Sequence, residues 1–303
     1  MKQDQLNKTV VLVSGSDRRE MVRRALNALG EDFTERIKKA RQIFLHPNFV
    51  THHRQIASTH VDAVRGVLDH ISLLRGDETL IGDASYHDTK KAFEAFNYQS
   101  LERSGNIKFI DLNDDQTIES YAYTAEMKKR PLGFSKTVAE SDMNIVIVPA
   151  KMHLYYTVSL SIKTHVVGSM VVPLSFSGIH ARWPWLHTGY KPAHMSIADV
   201  YIEHPAQLAI IDGTQAMEGN GPTEGNEVNL GWLITSLNPV AADALAAYLM
   251  GFNPSDIGYL YFLDQKGLGP IEPKDMKIIG QDPKSLRKEL VKPTSYPEIL
   301  NWR

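Results

Sequence analysis

Cysteine is absent from the 303 residues. That excludes structural disulfides, thiolate zinc sites, protein-bound iron–sulfur clusters and a thiol nucleophile. An excess of one charge is missing too: 33 Lys and Arg stand against 35 Asp and Glu, a formal net charge of −2. A dedicated nucleic-acid binder would normally be basic or carry a concentrated basic stripe. No apolar run approaches the roughly 20 residues that span a bilayer. The first one, Val10-Val11-Leu12-Val13, is too short for a signal-peptide core, so the expected location is cytoplasmic. Nucleotide and hydrolase fingerprints are lacking as well: there is no GxGxxG, no glycine-rich loop ending in Lys-Ser/Thr and no GxSxG elbow. Neither repeats nor low-complexity tracts occur.

What is present is a globular composition, 43% hydrophobic and 22% charged. The length suits one large α/β domain or two domains of roughly 150 residues. Short apolar runs at 9–14, 42–50, 79–81, 107–112, 144–150, 207–211, 228–235 and 276–279 read as strands. Helical spacing marks 19–29, 60–74, 88–104, 197–203, 238–250 and 257–263. Residues 173–194, rich in Pro, Gly, Trp and His, read as an irregular, lid-like insertion. The alternation implies an α/β fold with a mostly parallel sheet flanked by helices. A division into an N-terminal half, 1–135, and a C-terminal half, 136–303, allows two α/β subdomains with the site between them.

In such sheets ligands bind beyond the carboxyl ends of the strands. Residues leaving the strands include Arg18, His46, Asn48, Asp83, Ser85, Lys151, His153 and Asp212. Polar residues end strands anyway, as turn formers, but amines and imidazoles are harder to explain that way. Lys151 and His153 fall on one side of an extended chain, and Lys163 follows within reach of the same mouth. A desolvated lysine beside a histidine serves as a base, or as a clamp for an anion. A second constellation runs from Asp212-Gly213 to Glu218-Gly219-Asn220-Gly221-Pro222. Its glycines expose amides that suit a phosphate or carboxylate, while Asp212, Glu218 and Asn220 suit a hard cation such as magnesium. Histidines number 12, and three of them, His180, His187 and His194, share the insertion with Trp183 and Trp185. Their spacing fits no zinc motif.

The chain resembles the family called domain of unknown function 362. The matching pieces are the opening strand and helix ending in Leu29-Gly30, Pro47-Asn48, Lys151-x-His153, the segment 159–163, His194, Ile211-Asp212-Gly213, the loop 217–222, Val240-Ala241-x-Asp243 and Gly267-Leu268-Gly269. Members often carry a ferredoxin-like iron–sulfur segment, which a chain without cysteine cannot hold. Where the family commonly has Lys-Pro-Asn this chain has His46-Pro47-Asn48, and where it has Lys-Asn this chain has Lys163-Thr164. Both departures fall at candidate site positions.

These features lead to an expected enzyme of isomerase, lyase or cyclase type, moving a proton on a small anionic substrate without a cofactor. Lys151, His153, Lys163, Asp212 and Glu218 are the expected catalytic groups. Arg18, His46, Asn48, Asp83, Ser85, Trp183, Trp185, His194, Asn220 and Gly221 are the expected binding groups, with no metal ligand. The alternatives are a hydrolase or other enzyme dependent on a divalent cation, and a non-catalytic ligand-binding or assembly protein. The expected partner is a small molecule, with neither nucleic acid nor a membrane span; a homodimer is also allowed.

Overall fold

The computed structural model describes residues 8–171 and 183–303, with the backbone alone at 183 and 184. From the first strand the chain alternates. β1 (Thr9–Ser14) feeds α1 (Arg18–Leu29) and α2 (Glu31–Lys39); β2 (Ile43–Pro47) feeds α3 (Val61–Ser72); β3 (Thr79–Asp83) feeds α4 (Thr89–Ala95), before β4 (Ile107–Asp111). A hairpin of β5 (Thr117–Tyr123) and β6 (Lys129–Ser135) leads through α5 (Lys136–Glu140) to β7 (Met143–His153). β7 turns back as β8 (Thr157–Ser159) and enters α6 (Ser161–Ser169) and β9 (Met170–Val171). After α7 (Trp183–Leu186) and α8 (Tyr190–Glu203) come β10 (Leu208–Glu218), β11 (Asn226–Asn229) and β12 (Trp232–Ser236). α9 (Pro239–Leu249), α10 (Gly258–Gln265), β13 (Lys277–Gly280), α11 (Pro283–Leu286) and α12 (Tyr296–Ile299) close the chain.

The large sheet has the order β13-β1-β12-β10-β7-β2-β3-β4, with β8 on β7 and β11 on β10. β12 runs against both its neighbours, and the other seven strands of that path share one direction. β5, β6 and β9 form a separate antiparallel sheet. Strands from before and after residue 135 interleave, since β1 lies between β12 and β13 and β2 lies beside β7. Alternation along each strand feeds two cores. Val11, Ile43, Leu45, Ile145 and Ile147 pack with the buried faces of α1 and α3 on one side. Val10, Leu12, Val146 and Val148 pack with α6, α8, α9 and α10 on the other. At about 1.5–3 kcal/mol for each fully buried aliphatic side chain, these layers supply most of the drive to fold.

Differences from the expected elements have local causes. The apolar run 228–235 is two strands because Gly231, at φ +68, turns the chain between them and donates its N–H to Gly213 O. The stretch 88–104 breaks at Asn97, whose left-handed φ of 58 ends α4 and starts a 3-10 turn. The lid-like insertion is not irregular over 183–194. α7 lies there, and α8 starts at Tyr190 with Pro192 in its first turn, where a missing N–H costs nothing. Residues 173–182 lie outside the described residues, and His180 with them.

One buried carboxylate sets the position of α6. Asp243, on α9 and wholly buried, accepts from the amides of Ser161 and Ile162, from Ser161 Oγ and from Tyr259 Oη. It thus caps α6 from a different helix, in place of a local Ncap side chain. Burial pushes its carboxyl up to about 6, against the pull of the four donors. Asp243→Asn points amide hydrogens at groups that are themselves donors. It should destabilise the fold by about 2–4 kcal/mol, read as a lower urea midpoint at unchanged m-value.

Candidate functional site

β7 and β10 run past the carboxyl edge of the sheet, each carrying an extra hairpin partner beyond it. The β7 overhang brings in Lys151 and His153. Lys151 is wholly buried and donates to Asn48 Oδ1 and Ala57 O. Burial, and then the charge of Lys163, push its amine well below the usual lysine value, with Asp83 opposing. His153 is 6% exposed, and its Nδ1 accepts the N–H of Tyr155 at 3.0 Å. That bond places the ring proton on Nε2, the atom left for a ligand. Burial, followed by repulsion from Lys163, His187, Lys151 and His194, holds the imidazole well below its usual value, so it stays neutral.

Both the His153 ring and Lys163 face a cleft of about 290 Å³ between the exits of β2, β3 and β7, α6 and α7. Lys163 lies on the first turn of α6, where Asp243 anchors the backbone, and its Nζ stands 5.7 Å from the Tyr156 ring centroid. Asn48, Asp83, His87, Thr164 and Thr223 supply further polar lining; Val50, Tyr86, Tyr155, Tyr156, Val167 and Leu186 make the walls apolar and aromatic. Tyr156 Oη donates to Leu186 O at 2.6 Å, fastening α7 over the mouth. Arg54 donates to Thr223 O and, at 2.7 Å, to Gly225 O, which holds the loop after β10 against the cleft.

The expected groups therefore separate. Lys163, His153, Asn48 and Asp83 line the cleft, whereas Lys151 lies behind Asn48 and fixes it. His46 is buried behind Asp83, bonded to it at 3.2 Å. Ser85 donates to Phe49 O. Asp212 is held by Arg18 at 2.7 Å, and the Arg18 fork also reaches Gln215. Glu218 accepts from Val291 N, Asn220 accepts from Thr294 N, and Gly221 O accepts from Leu154 N. Asp212, Glu218 and Asn220 thus serve three different partners and do not converge as ligands. Among the described residues no group of three or more His, Asp or Glu side chains is placed to hold a metal ion. His194 is buried behind Tyr156, its Nδ1 accepting from Tyr259 N. Trp185 takes the Arg130 guanidinium over its ring at 4.1 Å, and the Trp183 side chain lies outside the described residues. Tyr155 and Tyr156 were not expected in the cleft wall, nor His165 behind it. In sequence the stretch from the end of the 144–150 run through Lys163 reads as amphipathic, while every side chain from Ser161 to Val166 is in fact buried.

No described helix is long and apolar enough to cross a membrane. A thylakoid-associated protein of Synechocystis is 23% identical over 276 residues, covering 88% of this chain and 77% of that protein. Among solved structures, the lactate racemase apoprotein from Thermoanaerobacterium thermosaccharolyticum aligns with a TM-score of 0.51 at 14% identity. That alignment covers 82% of this chain and 59% of the other, so the chain spans less than two thirds of the structure whose fold it shares. A Thermotoga maritima protein solved by structural genomics aligns over 68% of this chain and 52% of its own, at 15% identity and a TM-score of 0.43. The family described as Domain of unknown function (DUF362) matches residues 43–248, from the first residue of β2 to the last but one of α9, and the chain belongs to it.

Proposed function

We propose that the chain is an enzyme that moves a proton on a small organic anion, in a reaction of isomerase, lyase or cyclase type. The observation that carries this reading is the meeting of Lys163 with a neutral, Nε2-protonated His153 in one largely apolar cleft. An ammonium at the edge of a low-dielectric pocket binds a carboxylate far more tightly than it would in water. The same charge stabilises the anion formed when a proton leaves the carbon next to that carboxylate. His153 donates through Nε2 to an oxygen on which negative charge develops, as a neutral imidazole does when its ring is kept from protonating. A volume of about 290 Å³ suits a substrate of modest size, and the aromatic walls suit an apolar body. The name of the racemase with the related fold agrees with the reaction class; what is shared with it is fold.

Small carboxylates should raise the melting temperature of the wild type. Lys163→Met should weaken their binding at least about tenfold, with Lys163→Arg keeping part of it. Wild-type protein that no carboxylate stabilises would overturn the reading. Incubation in deuterium oxide with a panel of 2-hydroxy and 2-keto carboxylates then asks for deuterium at carbon. Binding without any exchange would make the chain a binding protein.

Acidification checks the electrostatics without a ligand. Burial holds His153 well below its usual value and pushes His165 and His194 down to about 3. Below an unfolded value of about 6.5 the unfolded chain binds protons that the folded chain refuses, so stability is fully present above that pH and is lost as pH falls. The urea midpoint should drop between about pH 7.5 and pH 5, and His153→Gln should lessen the slope by close to one proton.

A further inference from the structure

Behind the cleft wall runs a chain of hydrogen bonds whose proton count can be worked out from one fixed end. His165 Nε2 lies 3.0 Å from His204 O. A carbonyl only accepts, so that nitrogen carries a proton. His165 is wholly buried and its imidazole is held neutral, which leaves its Nδ1 as an acceptor. His46 Nδ1 stands 3.4 Å from it and must therefore be the donor. The other nitrogen of His46, Nε2, faces Asp83 Oδ1 at 3.2 Å, with both side chains buried. Asp83 Oδ2 already accepts from Phe49 N at 2.7 Å. A bare Nε2 lone pair set 3.2 Å from a buried carboxylate oxygen would repel it.

We infer that His46 and Asp83 share one buried proton, and that Asp83 is the proton donor of the cleft. His46 and His165 are wholly buried, while Asp83 lines the cleft. The shared proton thus has an outlet at Asp83. The packing leaves room for the pair and little else. A Cβ on Gly168 of α6 would overlap Asp83 Oδ1 and stand 2.6 Å from His46 Nε2. Two further titratable groups lie near enough to respond when Asp83 carries a charge, the Lys151 amine on β7 and the Tyr98 phenol.

The step balances without any co-reactant. The proton leaves the pair for a basic atom of the bound anion. His46 is then neutral with its proton on Nδ1, and Asp83 is a carboxylate facing the Nε2 lone pair. That repulsion drives the pair to take a proton back, from the substrate in an isomerisation or from water otherwise. His46 is a positioning residue that holds the shared proton against Asp83 Oδ1. Placing the donor at Asp83 rests on the proton-transfer reading of the cleft; the proton count of the pair does not.

Two measurements test this. Long-range proton–nitrogen spectra of nitrogen-15-labelled protein report which ring nitrogens carry protons. His165 should appear with its proton on Nε2, and His46 should keep its Nδ1 proton between about pH 6 and pH 9. In Asp83→Asn, whose side-chain amide donates to His46 Nε2, that nitrogen should read as unprotonated. A His46 whose Nδ1 lacks a proton, or whose spectrum Asp83→Asn leaves unchanged, would overturn the inference. The second measurement is calorimetry with acetate in two buffers of different ionisation enthalpy. Wild type should bind acetate with about zero protons taken up, because the pair is already neutral. In His46→Gln the Gln amide leaves Asp83 ionised, and binding should draw about one proton from the buffer or weaken at least about tenfold. Uptake of a proton by the wild type would sink the shared-proton assignment. Failure of acetate to bind would remove the donor role together with the enzyme reading, and the spectra would still decide the shared proton.

Discussion

Lys151 is an amine buried without a carboxylate to pair with. Its bonds go to the Asn48 amide and the Ala57 carbonyl. Keeping an ammonium there would cost several kcal/mol, so the interior favours the neutral amine. Lys163 lies near enough to push in the same direction, and His153 receives the same push from both lysines. The Lys151 amine and the His153 imidazole are thereby held neutral, by burial first and by the Lys163 charge second. Lys163 is the side chain whose charge acts on both of them, and it lines the cleft beside His153.

The fold carries this arrangement at a distance. Asp243 reaches from α9 to the first amides of α6 and so settles where Lys163 stands, on the first turn of that helix. The α9 end of that contact is rigid because the helix is buried on nearly every side and begins at Asn238, whose Oδ1 accepts from the amides of Val240 and Ala241. A substitution far from the cleft therefore shifts the Lys163 amine that lines it. Arg54 acts similarly on the other rim, binding the loop after β10 through two carbonyls.

Much of this frame was legible in the residues. Thr9 to Ser14 is a strand residue for residue, and the exits of β2, β3 and β7 do converge. What escaped was polar chain that turned out to be buried. β7 was expected to stop at Ala150 because Lys151 and His153 look like surface residues, yet it runs on to His153. The β5–β6 hairpin hid in a polar stretch because its strands are half exposed and lack a clean apolar face. The expectation that Asp212 and Glu218 would join the amines failed for a related reason. Spacing puts carboxylates on a loop, but it does not reveal that Arg18 and the backbone of Val291 already hold them.

The departure at position 46 fits this account. The resemblance sets a lysine where this chain has His46, beside a carboxylate at Asp83. A lysine there would form an ion pair with a fixed charge on each side, and its high proton affinity next to an anion would leave nothing to exchange. An imidazole differs in two ways. It has a second nitrogen, which here reaches His165 and through it the carbonyl of His204. It also gives up a proton far more readily than an ammonium does, and its Nε2 stands 3.2 Å from Asp83 Oδ1. The exchange of an amine for a ring turns a static pair into one with a mobile proton, and Gly168 is the position on α6 that leaves space for the ring and the carboxylate together.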